Sequence, residues 1–188
     1  MARWEPDARG RLAQAALELF AERGFEQTTV EDIAGRAGLT KRTFFRHFSD
    51  KREVLFGGGE EFRDLFVNSL AGAPTDLAPM EAIAMTLEAV AAFFRDRREF
   101  ARRRQLVIAA NAELQERELV KLASIADALA DTLRRRGVEE PAASLTAEAA
   151  IAVFRIAFER WVAAGDERDL PELIRESMAA LRAVATAR

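Results

Sequence analysis

The segment Thr28–Phe48 constrains this chain more than any other feature. It reads Thr-Thr-Val-Glu-Asp-Ile-Ala-Gly-Arg-Ala-Gly-Leu-Thr-Lys-Arg-Thr-Phe-Phe-Arg-His-Phe, two short helix signals parted by a glycine. Thr28 and Glu31 have the spacing of a capping box and predict a helix that runs through Ile33 and Ala37 and stops at Gly38. Thr40 is placed to cap a second helix reaching about Arg46. Two helices crossing steeply over a short turn need a small side chain where their backbones approach, and Ala34 supplies it. They also need a turn residue that tolerates positive φ, which Gly38 does without a Cβ penalty. Ile33, Leu39 and Phe44 have the spacing to fill the wedge between the helices, and Lys41, Arg42 and Arg46 fall outside it. A helix that enters the major groove carries polar and basic groups on just that outer face, so the pattern predicts a helix-turn-helix.

The charge distribution sharpens this reading. The whole chain has 28 basic and 31 acidic side chains, a net of -3, which by itself argues against a nucleic-acid partner. Arg36 to Arg52, however, holds six basic residues (Arg36, Lys41, Arg42, Arg46, Lys51 and Arg52) against Asp50 alone, a net of +5. A phosphate-facing surface needs such a local patch rather than a basic protein.

The remainder is rich in Ala, Leu, Glu and Arg and poor in β-branched runs, so the expected fold class is all-α. Asp7 is positioned to cap a first helix whose Leu12, Ala16, Leu19 and Phe20 share one face and which ends at Gly24. Asp50 and Glu53 repeat the capping-box spacing and predict a fourth helix over about 50–71. Further helices are expected at about 77–95, 97–109, 112–136, 145–163 and 171–186, with Gly137, Gly165 and Pro171 as punctuation. A three-helix head over 1–56 on a C-terminal helical bundle body over 57–188 is the organisation this implies, with the Pro74-containing stretch Gly72–Asp76 as the hinge. The absence of Cys fits a reducing compartment, and no run approaches a membrane span, so a cytoplasmic protein without a membrane partner is expected. His47 is the single His, which leaves no His- or Cys-based metal cluster, and no cofactor is expected. There is no glycine-rich phosphate loop, nucleophile elbow or zinc-protease motif, so the chain does not read as an enzyme.

Residues 11–55 resemble the N-terminal domain of the TetR family of transcriptional regulators. The matching residues are Leu12, Ala15-Ala16, Leu19-Phe20, Gly24-Phe25, Thr28-Thr29-Val30, Ile33-Ala34 and Ala37-Gly38-Leu39-Thr40. They continue through Thr43-Phe44-Phe45-Arg46-His47-Phe48 and close with Lys51 and Leu55. The resemblance implies a homodimer on a roughly palindromic operator in double-stranded DNA, acting as a repressor released by a small-molecule effector. Two residues depart from the pattern: Phe45 stands where Tyr is common, and Arg52 where an acid is common. Thr40, Lys41, Arg42 and Thr43, at the start of the recognition helix, are the expected base contacts. Thr28, Thr29, Phe45, Arg46, His47 and Lys51 are the expected phosphate contacts, Lys51 because a cation in a first helical turn opposes the helix dipole unless phosphate shares the site. Thr28 and Thr40 also have a purely structural reading as helix caps, and Phe45 reads equally as core.

For the body, the resemblance places Phe62, Phe66, Met85, Phe93, Leu106 and Leu122 in helices that enclose an effector cavity, where Arg104, Asn111 or Arg155 would orient a polar end. A cavity so lined favours a mainly apolar effector, although Phe at helical spacing is also ordinary core. In the penultimate helix Glu148, Arg155 and Glu159 form one narrow strip, and Ile151, Val153, Phe154, Ile156, Phe158 and Trp161 spread round the rest. Apolar cover this wide predicts one face buried in the subunit and another against a partner. Val153, Phe154, Ile156, Phe158 and Trp161, with Ile174, Met178 and Leu181 of the last helix, are the expected dimer interface. Two alternatives stand beside the repressor: a constitutive regulator or activator with a filled body, and a helical scaffold or small-molecule-binding protein that does not read DNA.

Overall fold

The computed structural model describes residues 7–163 and 168–186, which form ten helices and no strand. These are α1 (Ala8–Arg23), α2 (Val30–Arg36), α3 (Lys41–His47), α4 (Glu53–Phe56), α5 (Gly59–Ala71), α6 (Pro79–Phe93), α7 (Arg98–Ala109), α8 (Ala112–Arg135), α9 (Ala142–Val162) and α10 (Leu170–Thr186). The all-α expectation holds: α1 to α3 form the helix-turn-helix head and the later helices a bundle. Gly165, read from sequence as a break, lies outside the described residues.

The chain divides into two compact units. The first comprises the head through Gly58 and, in addition, Arg103–Glu118, the end of α7 and the start of α8. The second comprises Gly59–Arg102 and the chain from Leu119 onward. Two sequence expectations change here. The loop Gly72–Asp76 is no boundary, since it joins α5 to α6 inside the second unit, and the 103–118 segment leaves the body for the head.

In the first unit Asp7 caps α1, its carboxylate accepting from Gly10 N–H at 3.0 Å. Leu12, Ala16, Leu19 and Phe20 form the buried face of α1, packed with Phe25, Ile33, Ala34, Phe44 and Phe48. Val107, Ile108 and Leu114 join the same core. The expected fourth helix over 50–71 is two helices, α4 and α5, because the chain turns at Gly57 and Gly58. A Cβ on Gly57 would lie 2.7 Å from the Phe48 ring, and Gly58 has φ 89°. Both positions therefore require glycine, one for space and one for backbone conformation.

The second unit is built around aromatic rings. Phe62 and Phe66 of α5, Phe93 and Phe94 at the end of α6, and Phe154, Phe158 and Trp161 of α9 form one continuous cluster with centroids 5.1–6.1 Å apart. Leu170, Leu173, Ile174 and Met178 of α10 close the core from its other side. Arg136, just beyond α8, donates to the carbonyls of Leu70, Ala73 and Pro74 at 3.2, 2.8 and 2.6 Å, satisfying backbone acceptors that the end of α5 leaves open. Among the described residues no helix is long and apolar enough to cross a membrane.

Candidate DNA-binding surface

The surface starts from the two caps that fix α2 and α3. The capping box of α2 is Thr29 with Asp32, not Thr28 with Glu31: the Thr29 hydroxyl accepts from Asp32 N–H at 3.1 Å, and the Asp32 carboxylate accepts from Thr29 N–H at 3.0 Å. The Thr29 hydroxyl also donates to that carboxylate at 2.7 Å, which holds its pKa below the ordinary Asp value. Thr28 is buried, and its hydroxyl donates to the Gly24 carbonyl at 2.8 Å. Its side chain is thus directed into the fold, which removes it from the expected phosphate contacts. The α2–α3 turn runs through Gly38 with φ 67°, and Leu39 N–H returns to the Ala34 carbonyl at 2.8 Å. Thr40 caps α3 as expected, its hydroxyl accepting from Thr43 N–H at 3.1 Å and lying 3.0 Å from the Thr43 hydroxyl.

Phe44 is fully buried and Phe48 nearly so, which anchors one face of α3 and turns the opposite face outward. Thr40, Lys41, Arg42, Phe45 and Arg46 are exposed, with Thr43 and His47 half-buried beside them. Thr40, Lys41, Arg42 and Thr43 thus spread round the first turn of α3, where Arg42, with Arg46 one turn on, lies opposite buried Phe44. Phe45 is 48% exposed and meets Phe44 edge-on at 5.5 Å, so its ring is available to a backbone rather than spent in the core. Arg46 Nη2 and His47 Nε2 lie 3.4 Å apart. Lys51 is in the turn before α4, not in a first helical turn, so the helix-dipole argument does not apply to it. Its Nζ donates to the Phe25 carbonyl at 2.8 Å and sits 4.2 Å from the Phe25 ring centroid, tying that turn to the segment between α1 and α2.

The fold also redistributes the basic patch. Arg36 makes a bidentate pair with Glu22 at 2.9 and 2.8 Å, holding that carboxyl below the ordinary range, and lies 3.5 Å from Glu18. Lys41 pairs with Glu31. Arg52 pairs with Asp50 at 2.9 Å and with Glu113. Burial pushes the Asp50 carboxyl up, but the hydrogen bonds from Arg52 outweigh it and leave the pKa lowered. Arg117, also in the first unit, pairs with Glu53, and Arg104 makes a bidentate pair with Glu118 at 3.1 and 2.7 Å while donating to the Leu55 carbonyl at 2.7 Å. Of the six basic residues between Arg36 and Arg52, three thus have carboxylate partners, and Arg42, Arg46 and Lys51 have none among the described residues. Sequence counting missed this because Glu18, Glu22, Glu31 and Glu113 all lie outside the counted window.

The residues expected around an effector are scattered more widely. Phe62, Phe66, Phe93, Met85, Leu122 and Arg155 belong to the second unit, whereas Leu106 and Asn111 belong to the first. Phe62, Phe66 and Phe93 are in the aromatic cluster and Leu122 is buried beside it. Met85 and Leu106 are exposed, Arg155 pairs with Glu159 on the surface at 3.0 Å, and Asn111 donates to the Val107 carbonyl at 2.7 Å. The eight are not brought together. Of the expected dimer contacts, Val153, Phe154, Trp161, Ile174 and Met178 are buried in their own unit, because α9 turns its aromatic face inward. Phe158 and Leu181 are half-buried, and Ile156 is exposed.

Comparison with known proteins agrees with this geometry. Residues 12–56 match the model of the tetR family of bacterial regulatory proteins, and residues 77–186 match that of the MftR C-terminal domain. The chain is 39% identical over 88 residues to the HTH-type transcriptional regulator TcmR of Streptomyces glaucescens, covering 47% of this chain and 39% of TcmR. It is 28% identical over 125 residues to the putative mycofactocin biosynthesis transcriptional regulator MftR of Mycobacterium tuberculosis, covering 66% of this chain and 63% of MftR. The matches thus span less than two thirds of these curated relatives. Among solved structures, FadR of Bacillus subtilis in complex with stearoyl-CoA superimposes with a TM-score of 0.64 at 22% identity over 92% of this chain and 96% of that one, which shows a shared fold. With a tetR-family head and an MftR-type C-terminal domain in one chain, the protein belongs to the TetR family of DNA-binding transcriptional regulators.

Proposed function

We propose that the chain is a homodimeric repressor that holds a palindromic operator through α3 and releases it on binding a small, mainly apolar effector. The outward strip of α3, anchored by buried Phe44, is the observation that carries the DNA half of this reading. In this reading Thr40, Lys41, Arg42 and Thr43 address base edges, while Thr29, Phe45, Arg46, His47 and Lys51 address the sugar-phosphate backbone. A two-fold dimer would repeat that strip on a second half-site.

Support for a dimer comes from a strip of α9 in which Ile156 alone belongs to the expected interface. Leu145 and Ile156 are 65% and 45% exposed, and half-buried Ala149 and exposed Ala152 lie between them at helical spacing. Val184 of α10, 76% exposed, adds a further unpartnered apolar side chain. Small residues between larger ones let helices of two protomers approach closely. Ile156→Glu therefore yields monomers that keep their helical content, whereas Trp161→Glu strikes the protomer's own core.

Effector binding is supported by the apolar second unit and by the stearoyl-CoA bound to the structurally similar FadR of Bacillus subtilis. One observation favours a second reading, a regulator without an effector: the rings of Phe62, Phe66, Phe94, Phe154 and Phe158 already touch one another. The test is selection of bound fragments from a random duplex library, followed by titration of the recovered operator complex with stearoyl-CoA. The proposal expects a two-fold symmetric site and release of the DNA. Asymmetric or unrelated fragments would refute the operator model. A symmetric site whose complex ignores both stearoyl-CoA and a broad set of apolar compounds would favour the second reading.

A further inference from the structure

Among the described residues, Lys41 is the one basic side chain of α3 with a carboxylate of its own. Its ammonium pairs with Glu31 of α2, and it lies 5.9 Å from the Phe45 ring centroid, so an acid and an aromatic ring hold it at the side of α3. Neighbouring Arg42 has no such partner among the described residues. Both members of the pair are more than half exposed, at 56% and 58%. An exposed pair of this kind contributes little to folding, so separating it leaves the fold intact. Glu31 stands in the first turn of α2, between the Thr29 and Asp32 of the capping box that sets where that helix begins.

From this geometry we propose that Glu31 is a specificity-determining positioning residue, which keeps Lys41 neutralised on random DNA and yields it only to the base edges of the correct site. The inference rests on the DNA-binding surface assigned above. Affinity for random duplex comes from cations that displace condensed counterions from phosphate. A lysine that already carries an intramolecular counter-charge displaces none. Drawing it onto a phosphate would also leave the Glu31 carboxylate unpaired beside the polyanion. The paired acceptors of guanine, N7 and O6, are presented in the groove where the start of α3 lies, and they are worth the exchange where a phosphate is not. Glu31 thus lowers affinity for wrong sequences more than for the right one, and discrimination is the difference between the two.

The consequence is measurable without knowing the operator. Full-length wild type, Glu31→Gln, Lys41→Ala and the double variant are titrated by fluorescence anisotropy against a random-sequence duplex over a range of salt. Glu31→Gln is expected to steepen the slope of log affinity against log salt by about 0.9 per protomer, a gain of about 3.5-fold per protomer across a fourfold change in salt. Lys41→Ala is expected to leave that slope at the wild-type value, and Glu31→Gln to have no effect in its background. On an operator recovered by selection, Lys41→Ala should lose affinity while Glu31→Gln narrows the operator-to-random ratio. An unchanged slope in Glu31→Gln, or the same steepening with Lys41 absent, would overturn the proposal while leaving the DNA-binding surface intact. Absence of salt-dependent duplex binding by the wild type would instead overturn both.

Discussion

The first unit surrounds a small core with paired charges, from Arg36–Glu22 and Lys41–Glu31 to Arg104–Glu118, whereas the second joins seven aromatic side chains into one cluster. The difference follows from what each surface has to do. A unit that meets DNA must keep cations in water, and the fold decides which of them are already compensated. The second unit joins its inward rings into a single cluster, and burying each large apolar side chain stabilises by about 1.5–3 kcal/mol. Substitutions in the two units should therefore fail in different ways.

The largest effect should come from the aromatic unit. Phe154 touches Phe62, Phe66, Phe94 and Phe158, and Phe154→Ala should cost about 3–5 kcal/mol in urea denaturation followed by circular dichroism. A loss below about 1 kcal/mol would mean the cluster is not the core it appears from its ring contacts. In the charged unit Arg104 has a side chain only 14% exposed. Arg104→Met removes the pair with Glu118 and the bond to the Leu55 carbonyl, and should cost about 1.5–3 kcal/mol by the same measurement. The isolated segment 1–58 should fold poorly for a related reason, since it lacks Val107, Ile108 and Leu114 from its core.

Smaller effects separate the caps. Thr29→Ala should lower stability by about 1 kcal/mol through loss of the capping box of α2. Glu31→Gln should leave the melting temperature nearly unchanged, because Glu31 is not in that box. The reverse order would restore the pairing of Thr28 with Glu31 read from sequence. Acid should give the smallest effect. Glu22, Glu31, Asp32 and Asp50 all have lowered pKa values in the first unit, against Glu140 and Glu176 in the second. Lowered carboxyl values stabilise fully above the ordinary carboxyl range, and that contribution fades as pH falls through the lowered values. Amide exchange, corrected for its intrinsic pH dependence, should show the first unit loosening before the second.

Much of this fold was legible because its signals are local. Asp7, Gly24, Thr40 and Gly38 fix caps and turns within a few residues of themselves, and the later helices follow their own apolar period. The errors share a different cause. Thr28–Glu31 and Thr29–Asp32 have the same spacing, and only burial of Thr28 beneath the end of α1 selects the second. The run Gly57-Gly58-Gly59 is a local break inside the helix expected over 50–71, because consecutive glycines are poor helix formers. The neutralised cations, the α7–α8 corner in the first unit and the inward turn of Phe154 and Trp161 depend on partners far along the chain. No window of sequence contains them. Within the candidate site, sequence therefore anticipated the exposed side chains of α3 but overcounted its available charge.

Arg42 tests the account most directly, being exposed, at the start of α3 and without a carboxylate partner among the described residues. The measurement is the affinity of full-length wild type and Arg42→Ala for a selected operator and for a random-sequence duplex at one salt concentration. Loss of a bidentate base contact is worth about 1–3 kcal/mol per half-site, so operator affinity should fall by about fivefold to 150-fold per half-site. Random-duplex affinity should fall only by the few-fold expected for one lost cation. Equal losses on both duplexes would show that Arg42 serves the backbone. An Arg42→Ala variant that binds the operator like the wild type would contradict the assignment of α3 as the reading helix.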